Sequence, residues 1–155
     1  MAWSASTVPV ERGRQDGKVL SFLASNVAIV KGDIVRIAAD GYLTNAAPAS
    51  GDMSAGLALE SVDNSGGSAG ALGCLVQTEG VVAVYKDTLN AAISDVGNAA
   101  LCDEAVDCQS ITLGAFSSGN CLLGGVVGLV RDPVTGIVDV EKVWVKLKTL
   151  QQIKT

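Results

Sequence analysis

From residue 19 the chain runs in short apolar stretches, residues 19–23, 27–30 and 33–38, rich in β-branched side chains and separated by Ser25-Asn26 and Lys31-Gly32. This pattern predicts strands joined by tight connections. Asp40-Gly41 is expected to supply the positive φ angles of a two-residue hairpin turn that returns the chain into Tyr42-Leu43-Thr44. Residues 46–54, with Pro48 and Gly51, read as a loop and residues 56–62 as a further strand. Asp63-Asn64-Ser65-Gly66-Gly67-Ser68 has the glycine content of a mobile loop. Residues 74–85 then read as two strands broken at Glu79-Gly80, where a glycine permits a bulge or sharp bend and a corner would suit a small barrel.

Leu89, Ala92 and Ile93 have helical spacing, so residues 88–96 could hold one short helical turn. Strand patterns resume at residues 97–102, 110–116 and 121–131. The clearest local signal is the last hairpin, residues 126–131 and 137–147 around Asp132-Pro133-Val134-Thr135-Gly136, with Pro and Gly where turn chemistry places them. Val138 and Val140 share one pleat phase while Val143, Val145 and Leu147 share the other, so Glu141-Lys142 marks a bulge or short turn. Trp144 falls on the face opposite Val143 and Val145, where a subunit contact or a covering loop is expected. The strand-and-turn rhythm predicts an all-β chain: a small β-barrel or β-tulip/sandwich body over residues 19–149, an extended N-terminal arm over residues 1–18 and a tail over residues 150–155.

Composition narrows the picture. A chain of 155 residues has the length of one domain, and 48% hydrophobic residues with only 4% aromatic means a core of Ala, Val, Leu and Ile. The net charge of −5 argues against nucleic acid or an anionic membrane as partner, since both attract a basic face. The charge is uneven: residues 1–39 carry five basic and three acidic side chains, residues 40–110 one and ten, and residues 111–155 five and three. The opening residues lack the apolar stretch of a secretory signal, so synthesis and use in the cytoplasm are expected. Residues 121–130 form the longest apolar stretch, about half of the ~20 residues that span a bilayer, and read as a core strand.

The chain contains no histidine, which removes the commonest general base, the Ser-His and Cys-His nucleophile pairs and the H-E-x-x-H metal site. No phosphate-binding glycine loop, dinucleotide fingerprint or G-x-S-x-G elbow occurs, so the glycines read as turn and loop residues and no catalytic residue, cofactor or metal is expected. Cys74, Cys102, Cys108 and Cys121 include no C-x-x-C pair. Buried thiols acting as small hydrophobes are the plainest reading, with a Cys102–Cys108 disulfide in an oxidising medium and an all-thiolate zinc site as the alternatives. Asp103, Glu104 and Asp107, like Asp63-Asn64, suit a solvated acidic loop better than a calcium site, because neither matches an EF-hand spacing.

The arm carries Trp3, Pro9, Arg12, Arg14 and Lys18. It reads either as a frayed tail or as a segment that orders on a partner, with Trp supplying buried area and Arg pairing with carboxylates. Along the body, Val30-Lys31-Gly32-Asp33-Ile34-Val35, Asp40-Gly41-Tyr42-Leu43, Ala55-Gly56-Leu57-Ala58-Leu59-Glu60 and Thr78-Glu79-Gly80-Val81-Val82-Ala83-Val84 follow one another in order. Val96-Gly97-Asn98-Ala99-Ala100-Leu101, Gly125-Val126-Val127-Gly128-Leu129-Val130 and Val143-Trp144-Val145-Lys146-Leu147 complete the series. That order resembles the capsid decoration, or cement, proteins of tailed bacteriophages over nearly all of residues 19–147. The resemblance implies a structural, non-enzymatic protein made in the host cytoplasm and placed on the outer capsid surface of the virion. It would stabilise the expanded head by binding the major capsid protein as a homotrimer, with the arm laid on the lattice. The four cysteines and the insertion-like residues 103–118 go beyond the family's minimal pattern. A fibre, spike or surface carbohydrate-binding β module is the main rival, although two Trp, two Tyr and two Phe leave little aromatic material for a sugar platform. An enzyme working only with carboxylates and hydroxyls is the other.

Overall fold

The computed structural model describes residues 19–46, 53–86, 90–102, 110–114 and 121–148, and these are all-β apart from one 3₁₀ turn at Ile93–Asp95. The first half of the chain gives β1 (Val19–Leu23), β2 (Ala28–Ile29), β3 (Ile34–Ile37), β4 (Leu43–Thr44), β5 (Met53–Ala58), β6 (Val62–Asp63) and β7 (Gly73–Gln77). The second half gives β8 (Val81–Lys86), β9 (Ala99–Leu101), β10 (Ser110–Gly114), β11 (Leu122–Arg131) and β12 (Val138–Leu147). The bend expected at Glu79-Gly80 is where the chain leaves one sheet for another.

Upstream of that bend lies an open five-stranded sheet in the order β1-β7-β5-β3-β4, with β2 and β6 as a separate two-stranded sheet beside it. Its two ends nearly meet: Ala24 bridges Leu43, and the Ser25 amide donates to the Leu43 carbonyl. Downstream, β10-β8-β12-β11-β9 close into a ring, the last pairing being β10 running parallel to β8 through Ser110–Tyr85 and Ile111–Lys86. Closure leaves each ring strand hydrogen-bonded on both sides, which removes the exposed edges an open sheet presents.

Adjacent residues on β3 show how the layers stack. Ile34 packs into the ring core with Val84, Ile111, Leu123, Val126, Val143, Val145 and Leu147. Its neighbour Val35 points the other way and packs with Ile29, Leu43, Ala55 and Val76, against which Val62 also rests. The open sheet is thus buried on both faces at β3, as period-two alternation requires of a middle layer.

Several expectations change in detail. The β3–β4 hairpin uses a three-residue connection rather than two: the Gly41 amide donates to Ala38 and only Gly41, at φ +88°, is left-handed. That is a type I turn followed by a left-handed glycine, the next commonest hairpin class. The strand expected at residues 56–62 starts earlier, at Met53, and stops at Ala58. Beyond it the Glu60 carboxylate replaces a strand carbonyl by accepting the Leu75 amide, and the chain leaves the sheet before β6. The glycine-rich loop at residues 63–68 is tied down, because Asn64 is 2% exposed and its amide donates to the carbonyls of Ala24, Ser25 and Ser68. The helical turn is limited to Ile93–Asp95 among the described residues.

The last hairpin forms as its sequence predicts, with the Asp132 carboxylate accepting the amides of Val134 and Thr135. These two bonds hold that carboxyl below its usual range. The bulge at Glu141-Lys142 is present as well: pairing passes from Leu129–Val143 to Arg131–Val138, so a single β11 residue faces four of β12.

Candidate interaction surface

The ring's outward face is built by β8 and β12. Register pairs Tyr85 with Lys142, Ala83 with Trp144 and Val81 with Lys146, while the alternate residues Val84, Val143 and Val145 fill the core. Trp144 therefore stands on the opposite face from its two valine neighbours, as the pleat phase predicts, and is 38% exposed. Its ring lies beside Gly128 on β11, 3.8 Å from where a side chain there would begin, an ordinary contact distance. Tyr85 is 45% exposed and the Lys142 ammonium sits 4.8 Å from its ring centre. Exposed Val81 extends the apolar strip, and the result is an aromatic surface flanked by two lysines.

Next to it, a shallow groove of about 610 Å³ runs between β9, β11 and the end of β12. Gly97 and Gly125 expose backbone along it, and Lys146 and Lys148 add positive charge. Lys148 donates to the Ser54 carbonyl at 3.4 Å, and its partial burial pushes the ammonium's pKa down. The rest of the lining is largely apolar, from Ala99, Leu122, Val127 and Leu147.

Trp3, Pro9, Arg12, Arg14 and Lys18 lie outside the described residues, as do Cys108 and the acidic Asp103, Glu104 and Asp107. What is described is the root of the arm. Val19 pairs with Gln77, just before the Glu79-Gly80 bend, and the Gly80 carbonyl accepts the Leu147 amide beside Lys146. Val19, the first described residue, thus lies at the end of the molecule where β12 finishes. Asp63 is exposed and engaged by Ser65, whose hydroxyl and amide lower its pKa, while Asn64 turns inward, so the pair is a loop anchor. Among the described residues no three Cys, Asp or Glu side chains stand together as a metal site.

Cys74, Cys102 and Cys121 are all buried, matching the reading of them as small core residues. Burial, reinforced by Glu60 and Asp33, raises the Cys74 thiol's pKa, which makes it a poor nucleophile. Cys102 and Cys121 face each other across β9 and β11, with sulfurs 2.7 Å apart. As a disulfide, sequence reasoning considered Cys102 only with Cys108; the register that carries Leu101–Leu122 one step further is the signal it lacked. It also passed over Arg36, which is 1% exposed, and the Lys86–Asp95 ion pair at 3.0 Å.

No family model matches the chain, and no curated protein or solved structure is detectably similar to it.

Proposed function

We propose that this protein is a tailed-phage capsid decoration protein, a non-enzymatic cement that binds the outside of the expanded head and braces the major capsid protein lattice. The observation that carries the reading is the exposed Trp144–Tyr85 surface with Lys142 and Lys146, near the end of the body from which the basic arm departs. Large aromatic rings give contact area at low entropic cost, and flanking cations complement an acidic partner surface. The order of β elements noted in the sequence supports the same assignment. Trimeric assembly on the head would multiply weak contacts through effective concentration. The acidic residues 40–110 then include the outward loops, leaving the basic termini to meet the capsid.

Cosedimentation of the purified protein with undecorated expanded heads, against unexpanded proheads, tests the reading. Saturable binding to expanded heads alone is expected, and it should disappear when residues 1–18 are deleted while the body stays folded. Binding to neither particle overturns the capsid role, and undiminished binding by the deleted form overturns the arm's part in it. The aromatic sheet face also fits a fibre or spike module that stacks on sugars. Retention on a glycan array that Trp144→Ala abolishes, with no head binding, would favour that second reading.

A further inference from the structure

We propose that Cys102 and Cys121 are a redox pair that closes into a disulfide across β9 and β11, covalently fastening the ring at the base of residues 103–120. The two residues sit directly opposite on antiparallel neighbours, where the Cys102 amide donates to the Cys121 carbonyl at 2.9 Å. Opposed side chains on such strands start close to the separation a disulfide spans. The sulfurs are 2.7 Å apart, inside the distance at which two unbonded sulfur atoms rest, so bond formation needs only a small closing movement. Both side chains are buried, at 2% and 3% exposure, which fixes their orientation toward each other.

Lys148 lies within electrostatic reach of both sulfurs and also lines the surface groove. The thiolate is the form that attacks. The oxidant is a peroxide, small enough to enter. One thiolate attacks a peroxide oxygen, the O–O bond breaks, and sulfenic acid and water result after proton transfer. The second thiol displaces that hydroxyl as another water, leaving the S–S bond; two electrons have passed from the two sulfurs to one peroxide. Cys74 has no such partner among the described residues and sits in the other core. The pairing does not depend on the capsid reading.

The test uses the full chain, reduced and then treated with hydrogen peroxide, alkylated and digested without reduction. Trypsin leaves Cys102, Cys108 and Cys121 in one peptide, because no Lys or Arg lies between Lys86 and Arg131. Cleavage after Glu104 and after Leu113 or Phe116 separates all three. The expected product is a Cys102–Cys121 cross-linked peptide pair about 2 Da lighter than its reduced sum, with Cys74 alkylated. The linked form should melt roughly 5–10 °C above the reduced one. A Cys102–Cys108 link, or sulfinic acid without any link, overturns the proposal.

Discussion

The ring and the open sheet are held together by different materials. Among the described residues the ring core is largely aliphatic with two facing thiols, and the ring half buries few polar side chains, Ser110 and Asp95. Around the open sheet, by contrast, Asp33, Arg36, Thr44, Ser54 and Asn64 are all buried. Asp33 accepts the Val30 amide and the Asn45 side chain, and Asn64 spans three carbonyls, so side chains complete hydrogen bonds that short strands and sheet ends leave open. A closed ring satisfies its own backbone and can spend its interior on apolar packing. An open sheet that ends in the two-residue β4, with the two-residue β2 and β6 paired beside it, recruits polar side chains instead.

The most severe test of the ring is Gly124→Ala. A side chain there would collide with the Lys146 carbonyl and prise β11 from β12, so a loss of roughly 3 kcal/mol or more, and a Tm lower by on the order of 10 °C, is expected in a melting experiment. Leu123→Ala, which only hollows the ring core, should cost about 2–5 kcal/mol in denaturant unfolding, with the ring still closed. On the other side Asn64→Ala removes no apolar packing, yet it removes the side-chain bonds to three carbonyls, each of which keeps a backbone donor, and should cost about 1–2 kcal/mol. If Asn64→Ala proves neutral while Leu123→Ala does not, the contrast between the two regions fails.

The smallest effect is pH-dependent. The Asp95 carboxyl is held below its ordinary value by the Ala92 amide and then by Lys86, against the opposing pull of burial. Its contribution is complete above the unfolded carboxylate's pKa and is lost as pH falls through the lower folded value. Wild type should therefore exceed Asp95→Asn by on the order of 1 kcal/mol at neutral pH, with the gap shrinking below about pH 4 in an acid titration.

What the sequence made legible was local. Asp132-Pro133-Val134-Thr135-Gly136 sets its turn through Asp132 and its own neighbours, and the phase flip at Glu141-Lys142 shows the bulge before any partner strand is known. Glu79-Gly80 likewise announced a corner. Partners were not legible: nothing near Ser110 indicates that it runs parallel to Tyr85, because that pairing is set by ring closure. Asn64 fell in a stretch read as a mobile loop and Arg36 drew no reading, since a polar residue's burial depends on what covers it. The aromatic surface was half visible. Alternation placed Trp144 outside, but Tyr85 and Lys142 became its neighbours only through the β8–β12 register. The arm residues lie outside the described part, and their role rests on the experiment with residues 1–18 removed.

The chain crosses the Glu79-Gly80 bend once, and this sets an order for synthesis. Every strand of the open sheet and of its two-stranded companion has been made by Gln77, so that half can begin to assemble while the rest is still on the ribosome. The ring has no such head start, because β8 and β11 both wait for β12, the last of the described strands to be translated. A chain released early, or trimmed by a protease before Val138, would carry two unpaired strand edges and an uncovered Ile34 face. Such a product is a substrate for aggregation and quality control rather than a smaller working protein.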